Sequence, residues 1–346
     1  MKLKNSLFAL LAGSLFFVSC SSDDDNVSIA SGAYENGTFV LNEGNSNPST
    51  GTVSFIGNDG TVEQDIFTAV NPDAPAIGTY LQSMFFSDDY AFIISGQANK
   101  VTVVNRNTFE FVASIGGDNF SNPRYGAVIN GKAYITNTSN YADPDDFLTV
   151  IDLASFTTST VELNNYAERV LTENGKLYIA NGYYGSGTSV TVFNPANNTV
   201  EAVIELGDSP NSFDEEDGAL YVMGDSKISR INLANNTVSG TIELTAEMSG
   251  AKNLTISDNF IYYTVGTSVY SLSLNSTTLP TEALFSYESG SQWGAMYGFN
   301  VSEGKVYIAD GGDFASDSEI YIYGTNGTLI NTHVVGVGPN SFYFNN

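Results

Sequence analysis

The chemistry open to this chain is bounded by its rarest side chains: one histidine and one cysteine. A two-histidine zinc motif and a multi-cysteine zinc site are both excluded. His333 lies in an alternating, strand-like run over 329–335, remote from the loops that gather polar groups, so a Ser-His-Asp triad is not expected there. Cys20 ends an apolar leader and is read as a modification site, which leaves no Cys-His pair. Acidic side chains crowd two segments, Asp143, Asp145 and Asp146 in one and Asp310, Asp313 and Asp317 in the other. Oxygen-rich loops can hold calcium, but neither segment follows the spaced calcium-loop pattern. Loop carboxylate pairs could hydrolyse glycosides, yet no motif points to that. Phosphate-binding and dinucleotide-binding glycine motifs are absent. The inventory therefore points away from catalysis, with no metal and no cofactor expected.

The residue types suited to binding are plentiful. Tyr80, Tyr125, Tyr141, Tyr166, Tyr183, Tyr184, Tyr287, Trp293 and Tyr297 all fall in loop-like segments. Rings with a polar edge suit broad amphipathic ligands such as sugars or macrocycles. Arg124, Arg169 and Lys252 each stand where the first strand of a repeat unit begins, against a background of 38 acidic and 12 basic residues. Cations gathered there would recognise a phosphate, a carboxylate or an amide-rich group. Asn211, Phe213 and Asn340 join this candidate set from two near-identical motifs that enter an innermost strand, Ser209-Pro210-Asn211-Ser212-Phe213 and Gly338-Pro339-Asn340-Ser341-Phe342. The net charge of −26 makes nucleic acid a poor partner.

The elements that must position these side chains follow from an internal repeat. A turn pair and an alternating aromatic-aliphatic strand recur, as in Asn130-Gly131-Lys132-Ala133-Tyr134-Ile135 and Asn174-Gly175-Lys176-Leu177-Tyr178-Ile179. The turns fall at 37, 89, 131, 175, 218, 259 and 304, which is 41 to 52 residues apart. Asn-Gly and Asp-Gly between apolar runs mark tight hairpins, and a period of about 40–45 residues with four short strands marks a propeller blade. The reading is all-β: a seven-bladed β-propeller of four-stranded blades. The motif at 338–342 has no blade after it, so the C-terminal strand is expected to complete the N-terminal blade from inside. In such a ring, the loops joining strands one to two and three to four share one face, here made of short Asn-rich turns. The other face carries the long loops at 43–51, 71–80, 119–125, 137–146, 164–169, 181–187, 208–213, 246–253, 287–297 and 310–317, and with them the candidate binding residues.

Residues 1–19 read as a signal peptide, with Lys2 and Lys4 before an apolar run over 7–18 that is too short to span a bilayer. The close, Phe17-Val18-Ser19-Cys20, resembles a lipobox, which implies acylation of Cys20. The following Ser21-Ser22-Asp23-Asp24-Asp25-Asn26 resembles the acidic tether that sends lipoproteins to the cell surface in Bacteroidetes. The expected organisation is leader 1–19, lipidated tether 20–31 and propeller 32–346, lipid-anchored in the outer membrane and touching the membrane only through the lipid.

Lipobox, tether, Asn-Gly-Lys-x-Tyr-Ile blades and the Ser-Pro-Asn-Ser-Phe motif together resemble the YncE-like propeller lipoproteins of Bacteroidetes, a group that includes BtuG-type cobamide-binding proteins. The resemblance covers nearly all of the mature chain, but its motifs are blade-building residues and carry no ligand contact over to this sequence. It implies capture of a scarce nutrient, foremost a cobamide such as cobalamin, and delivery to a TonB-dependent outer-membrane transporter. A glycan-binding lipoprotein, an adhesion or scaffold propeller, and an enzyme such as a lyase or glycosidase are the alternatives. A funnel converging on Arg124, Arg169 and Lys252 would favour a small ligand, and a flat tyrosine-dotted face a scaffold.

Overall fold

The structure is a computed structural model that describes residues 32–45, 50–183 and 185–345. Cys20, the acidic tether and Tyr184 lie outside these residues. Seven four-stranded antiparallel sheets form a ring, a seven-bladed β-propeller. The expected closure is present: Pro339–Asn345 is the innermost strand of the blade whose other strands are Gly37–Asn42, Thr52–Gly57 and Val62–Glu63. Six residue pairs join Gly37–Asn42 to it, from Gly37 opposite Asn345 to Asn42 opposite Pro339. The remaining inner strands are Leu81–Phe86, Pro123–Ile129, Val170–Glu173, Pro210–Glu216, Lys252–Ser257 and Gly298–Ser302.

The turns form for the reason the sequence suggested. Asn130 and Gly131 have φ of 53° and 72°, the left-handed pair that a twisted hairpin requires. Alternation then buries one face of each blade against the next. Phe92, Ile94, Val101 and Val103 of one blade meet Ala133, Ile135 and Ile151 of its neighbour, so the core lies between blades.

Irregular lengths have local causes. The 52-residue unit holds an extra helix, Ile66–Val70, capped by the Asp65 carboxylate on the Thr68 N–H at 3.4 Å. It takes the place of a long outer strand, leaving only Val62–Glu63. Another blade likewise ends in a two-residue strand, Phe285–Ser286. Hairpin Lys176–Tyr183 and Ser186–Asn194 runs longer than its blade-building core and projects Tyr183 onto the decorated face.

Candidate functional site

Long loops and inner-strand starts converge on an axial funnel of about 960 Å³. Of the expected residues, Tyr80, Arg124, Tyr125, Tyr141, Arg169, Tyr183, Tyr297 and Asn340 line it. A smaller cavity of about 220 Å³ shares Arg169, Asn253, Phe299 and Asn300 with the funnel and is lined in addition by Phe213. Tyr166, Asn211, Lys252 and Trp293 do not line the funnel. The Tyr166 hydroxyl donates to the Ala142 carbonyl at 3.2 Å within the loop layer. Trp293 stands 79% exposed over a different cleft, described below.

The three cations do not converge as a group. Arg124 is paired: Nε and Nη2 donate to the two Glu168 carboxylate oxygens at 2.9 and 2.8 Å, and Nη1 to Gln82 Oε1 at 2.7 Å. Burial works to lower the guanidinium's pKa, but the Glu168 charge and hydrogen bond outweigh it and hold the proton more firmly than usual. Gln82, Arg124 and Glu168 come from three successive blades, so this charge ties the ring together and is not free for an anion. Arg169 stacks over Tyr125 at 4.8 Å and donates from Nε to the Asn211 carbonyl at 3.2 Å. It has no ion-pair partner among the described residues, which makes it the cation the funnel offers a ligand. Lys252 lies one residue ahead of the position that Arg124 and Arg169 occupy. It is exposed outside the funnel walls, and partial desolvation lowers its ammonium pKa.

The Asn of the repeated motif has a structural duty. Asn211 Nδ2 donates to the Ala251 carbonyl at 3.0 Å, Asn340 Nδ2 to the Leu81 carbonyl at 2.7 Å, and Asn253 Nδ2 to the Met296 carbonyl at 3.5 Å. Each bond staples one inner strand to the next blade, which explains why Pro-Asn-Ser-Phe recurs at blade starts. Asn211 is therefore committed to the ring, while Asn340 staples and lines the funnel at once.

Several funnel residues were not singled out by sequence. Glu43 accepts a hydrogen bond from the Tyr297 hydroxyl; burial raises its carboxyl pKa, opposed by that bond and by the Arg124 charge. Gln97, Asn99, Ser121, Asn122, Thr138 and Ser139 form a neutral polar wall. Beside it, Tyr141 and Tyr183 stack at 5.0 Å with planes 17° apart, and Asn122 Nδ2 donates to the Tyr141 hydroxyl at 2.6 Å. Arg124 lies 5.5 Å from the centre of the Tyr183 ring, so a guanidinium-tyrosine-tyrosine stack rises from the channel to the rim. The position of Glu168, one residue before Arg169 at a blade start, was the only sequence signal for its role.

The acidic segments serve as loop scaffolding. Asp146 is 1% exposed and accepts from the Ser139 N–H at 3.0 Å and the Ala167 N–H at 2.8 Å. Desolvation raises its pKa to about 6, with the two N–H bonds opposing and the Asp145 and Glu168 charges adding. Asp310 accepts from the Gly312 N–H at 3.0 Å and from Tyr287 at 3.3 Å, and Asp313 from the Ala315 and Ser316 N–H groups at 2.9 and 2.8 Å. Among the described residues no group of three or more such side chains is placed to hold a metal ion.

Asp146 sets a pH expectation. An unfolded aspartate titrates near 3.9, so between about pH 4 and 6 the folded chain holds this proton more tightly than the unfolded one. Stability from this group is therefore present at low pH and lost as pH rises through 6, by about 2–3 kcal/mol. Urea unfolding at pH 4.5 and 7 should show this loss in the wild type and a smaller one in Asp146→Asn; equal losses would refute the assignment.

These features define a class: a propeller whose decorated face sinks into an aromatic and amide-lined axial funnel. Residues 36–340 match the family described as a domain of unknown function (DUF5074), and the chain belongs to that family. No curated protein matches it. Among solved structures it is similar to a quinonprotein alcohol dehydrogenase-like protein from Bacteroides thetaiotaomicron, at 17% identity and a TM-score of 0.68 over 90% of this chain and 79% of that one. A functionally unknown protein from Desulfotomaculum acetoxidans matches at 14% identity and a TM-score of 0.67, over 89% and 98% of the two chains. BamB from Moraxella catarrhalis matches at 12% and 0.53, over 86% and 82%. At such identities these likenesses establish the fold alone.

Proposed function

We propose that this protein is a ligand-capturing surface lipoprotein, a binder and not an enzyme, held to the outer membrane by acylated Cys20. Its foremost ligand is a cobamide such as cobalamin, passed on to a TonB-dependent transporter. The observation that carries this reading is the funnel. Its volume, about 960 Å³, lies at the upper end of small-molecule sites and suits a bulky amphipathic ligand. Tyr80, Tyr125, Tyr141, Tyr183 and Tyr297 offer ring faces, Arg169 an unpaired guanidinium, and the neutral wall amides and hydroxyls. The funnel carboxylate Glu43 is engaged by Tyr297, and Arg124 in the funnel wall is held by Glu168, as befits a preorganised binding surface. Arg169 would meet a phosphate, and the amides a carboxamide fringe. A glycan is the second reading, favoured by the stacked Tyr141–Tyr183 pair beside Gln97, Asn99 and Asn122, since sugar rings present an apolar face and a hydroxyl edge.

Calorimetric titration with cyanocobalamin tests this. One-to-one binding is expected, weakened about tenfold or more by Tyr183→Ala and unchanged by Trp293→Ala, whose ring lies outside the funnel. Absence of binding in both calorimetry and equilibrium dialysis would remove the cobamide and turn the titration to neutral oligosaccharides. Cys20→Ala should release the protein from membranes.

A further inference from the structure

A second feature lies on one outer blade, away from the funnel. The outermost strand Leu329–Val335 carries no Asp, Glu, Lys or Arg. Leu329, Ile330 and Val334 are each 49% exposed along it. An uncharged, apolar sheet edge of this kind is a template for strand pairing, which proteins ordinarily blunt with charge or brevity. Five of the other outer strands are blunted: Thr158–Asn165 carries Glu162, Thr199–Glu205 carries Glu201 and Glu205, Thr237–Glu243 carries Glu243, and Val62–Glu63 and Phe285–Ser286 have two residues each. Phe111–Gly116 is uncharged as well, but of its large apolar side chains only Val112 is exposed, against three along Leu329–Val335. Beside the Val334 end lies a cleft of about 770 Å³, lined by Trp293, Asp313, Asp317, Glu319, Tyr321 and Val334 among others. Trp293, the only tryptophan of the chain, stands over it exposed. Asp317 has no partner among the described residues.

We infer that this edge and cleft form a docking surface for an extended, basic segment of a partner protein, added as a fifth strand beside Leu329–Val335. Charge complementarity selects the occupant. Carboxylates and an indole face in one cleft attract Lys or Arg, by Coulomb attraction and by stacking of a cation on the ring. A second copy of this chain, itself at −26, would bring acid onto acid. Strand addition supplies main-chain bonds, and alternate side chains of the segment reach the cleft. The edge already accepts one donor: Gln64 Nε2 reaches the Val334 carbonyl at 3.0 Å. Val334 thus turns its main chain outward and, by the two-residue period of a strand, so does Thr332.

The probe is an end-capped ten-residue peptide of alternating Arg and Val, added to the full-length protein at low salt. Trp293 emission should shift to saturation at one-to-one, and amide exchange across 329–335 should slow at least about tenfold. Asp317→Asn with Glu319→Gln should weaken binding about tenfold or more and flatten its salt dependence. Thr332→Pro should remove binding while leaving the inner face of the strand paired. An emission shift without slowed exchange, an equal response to free arginine amide, unchanged affinity in the acid-to-amide variant, or no shift at all would each overturn the proposal.

Discussion

Ending the chain at Gly338 is expected to abolish cooperative folding, although only 339–346 are lost. Pro339–Asn345 is the inner strand of a blade that the N-terminus cannot complete. Without it Gly37–Asn42 loses all six partners along one edge. Phe342, 2% exposed, leaves a cluster with Val40, Tyr307, Ala309 and Ile320, and its ring lies 5.6 Å from that of Tyr307. Removing one such side chain alone costs about 3–5 kcal/mol. The Tyr343 hydroxyl no longer receives the Met84 N–H, a 2.8 Å bond, and Asn345 Nδ2 no longer reaches the Tyr34 carbonyl at 2.7 Å. Both bonds cross between parts of the chain that meet only when the ring shuts. The combined loss is on the order of the whole net stability of a domain, about 5–15 kcal/mol. Soluble yield and thermal unfolding decide the matter. Recovery on adding a peptide of residues 336–346 would support the clasp; a truncated protein melting within a few degrees of full length would refute it.

Arg124→Ala carries the second large effect. The Arg124 and Glu168 side chains are 15% and 14% exposed, so the pair is substantially withdrawn from water. Deleting one partner strands a desolvated charge, which costs about 3–5 kcal/mol, whereas replacing both by apolar residues of similar size costs far less. The expected order of stability is wild type, then Arg124→Met with Glu168→Leu, then Arg124→Ala. Urea unfolding of the three proteins reads it out. A single variant losing less than about 1 kcal/mol would show the pair to be solvent-screened. Arg124→Ala should also weaken funnel binding, because the guanidinium supports the Tyr183 ring on which Tyr141 stacks.

Blade number, hairpin turns and the closing strand were all legible in the residues. Each rests on local chemistry: positive φ at Asn-Gly, alternation of apolar side chains, and a repeated Pro-Asn-Ser-Phe whose last copy lacks a following blade. The helix Ile66–Val70 was signalled only by a unit longer than its neighbours. Most of the funnel tyrosines were found because loop position follows from strand count. Their partners were not. Trp293, grouped with them by its glycine-flanked loop, lines a different cleft together with Ser291 and Gln292, although Tyr297 of the same loop lines the funnel.

The sequence alone determined that this chain closes a ring of seven blades with one plain and one decorated face. Those features depend on neighbours a few residues apart, or on repetition of the same local pattern. Tertiary structure alone decided which charges remain available. Arg124 and Glu168 lie 44 residues apart and Tyr297 and Glu43 254 apart, yet each pair meets where separate blades reach the axis. Whether a side chain is a free recognition group or a satisfied staple depends on what faces it across the ring. That is settled only when all seven blades are in place.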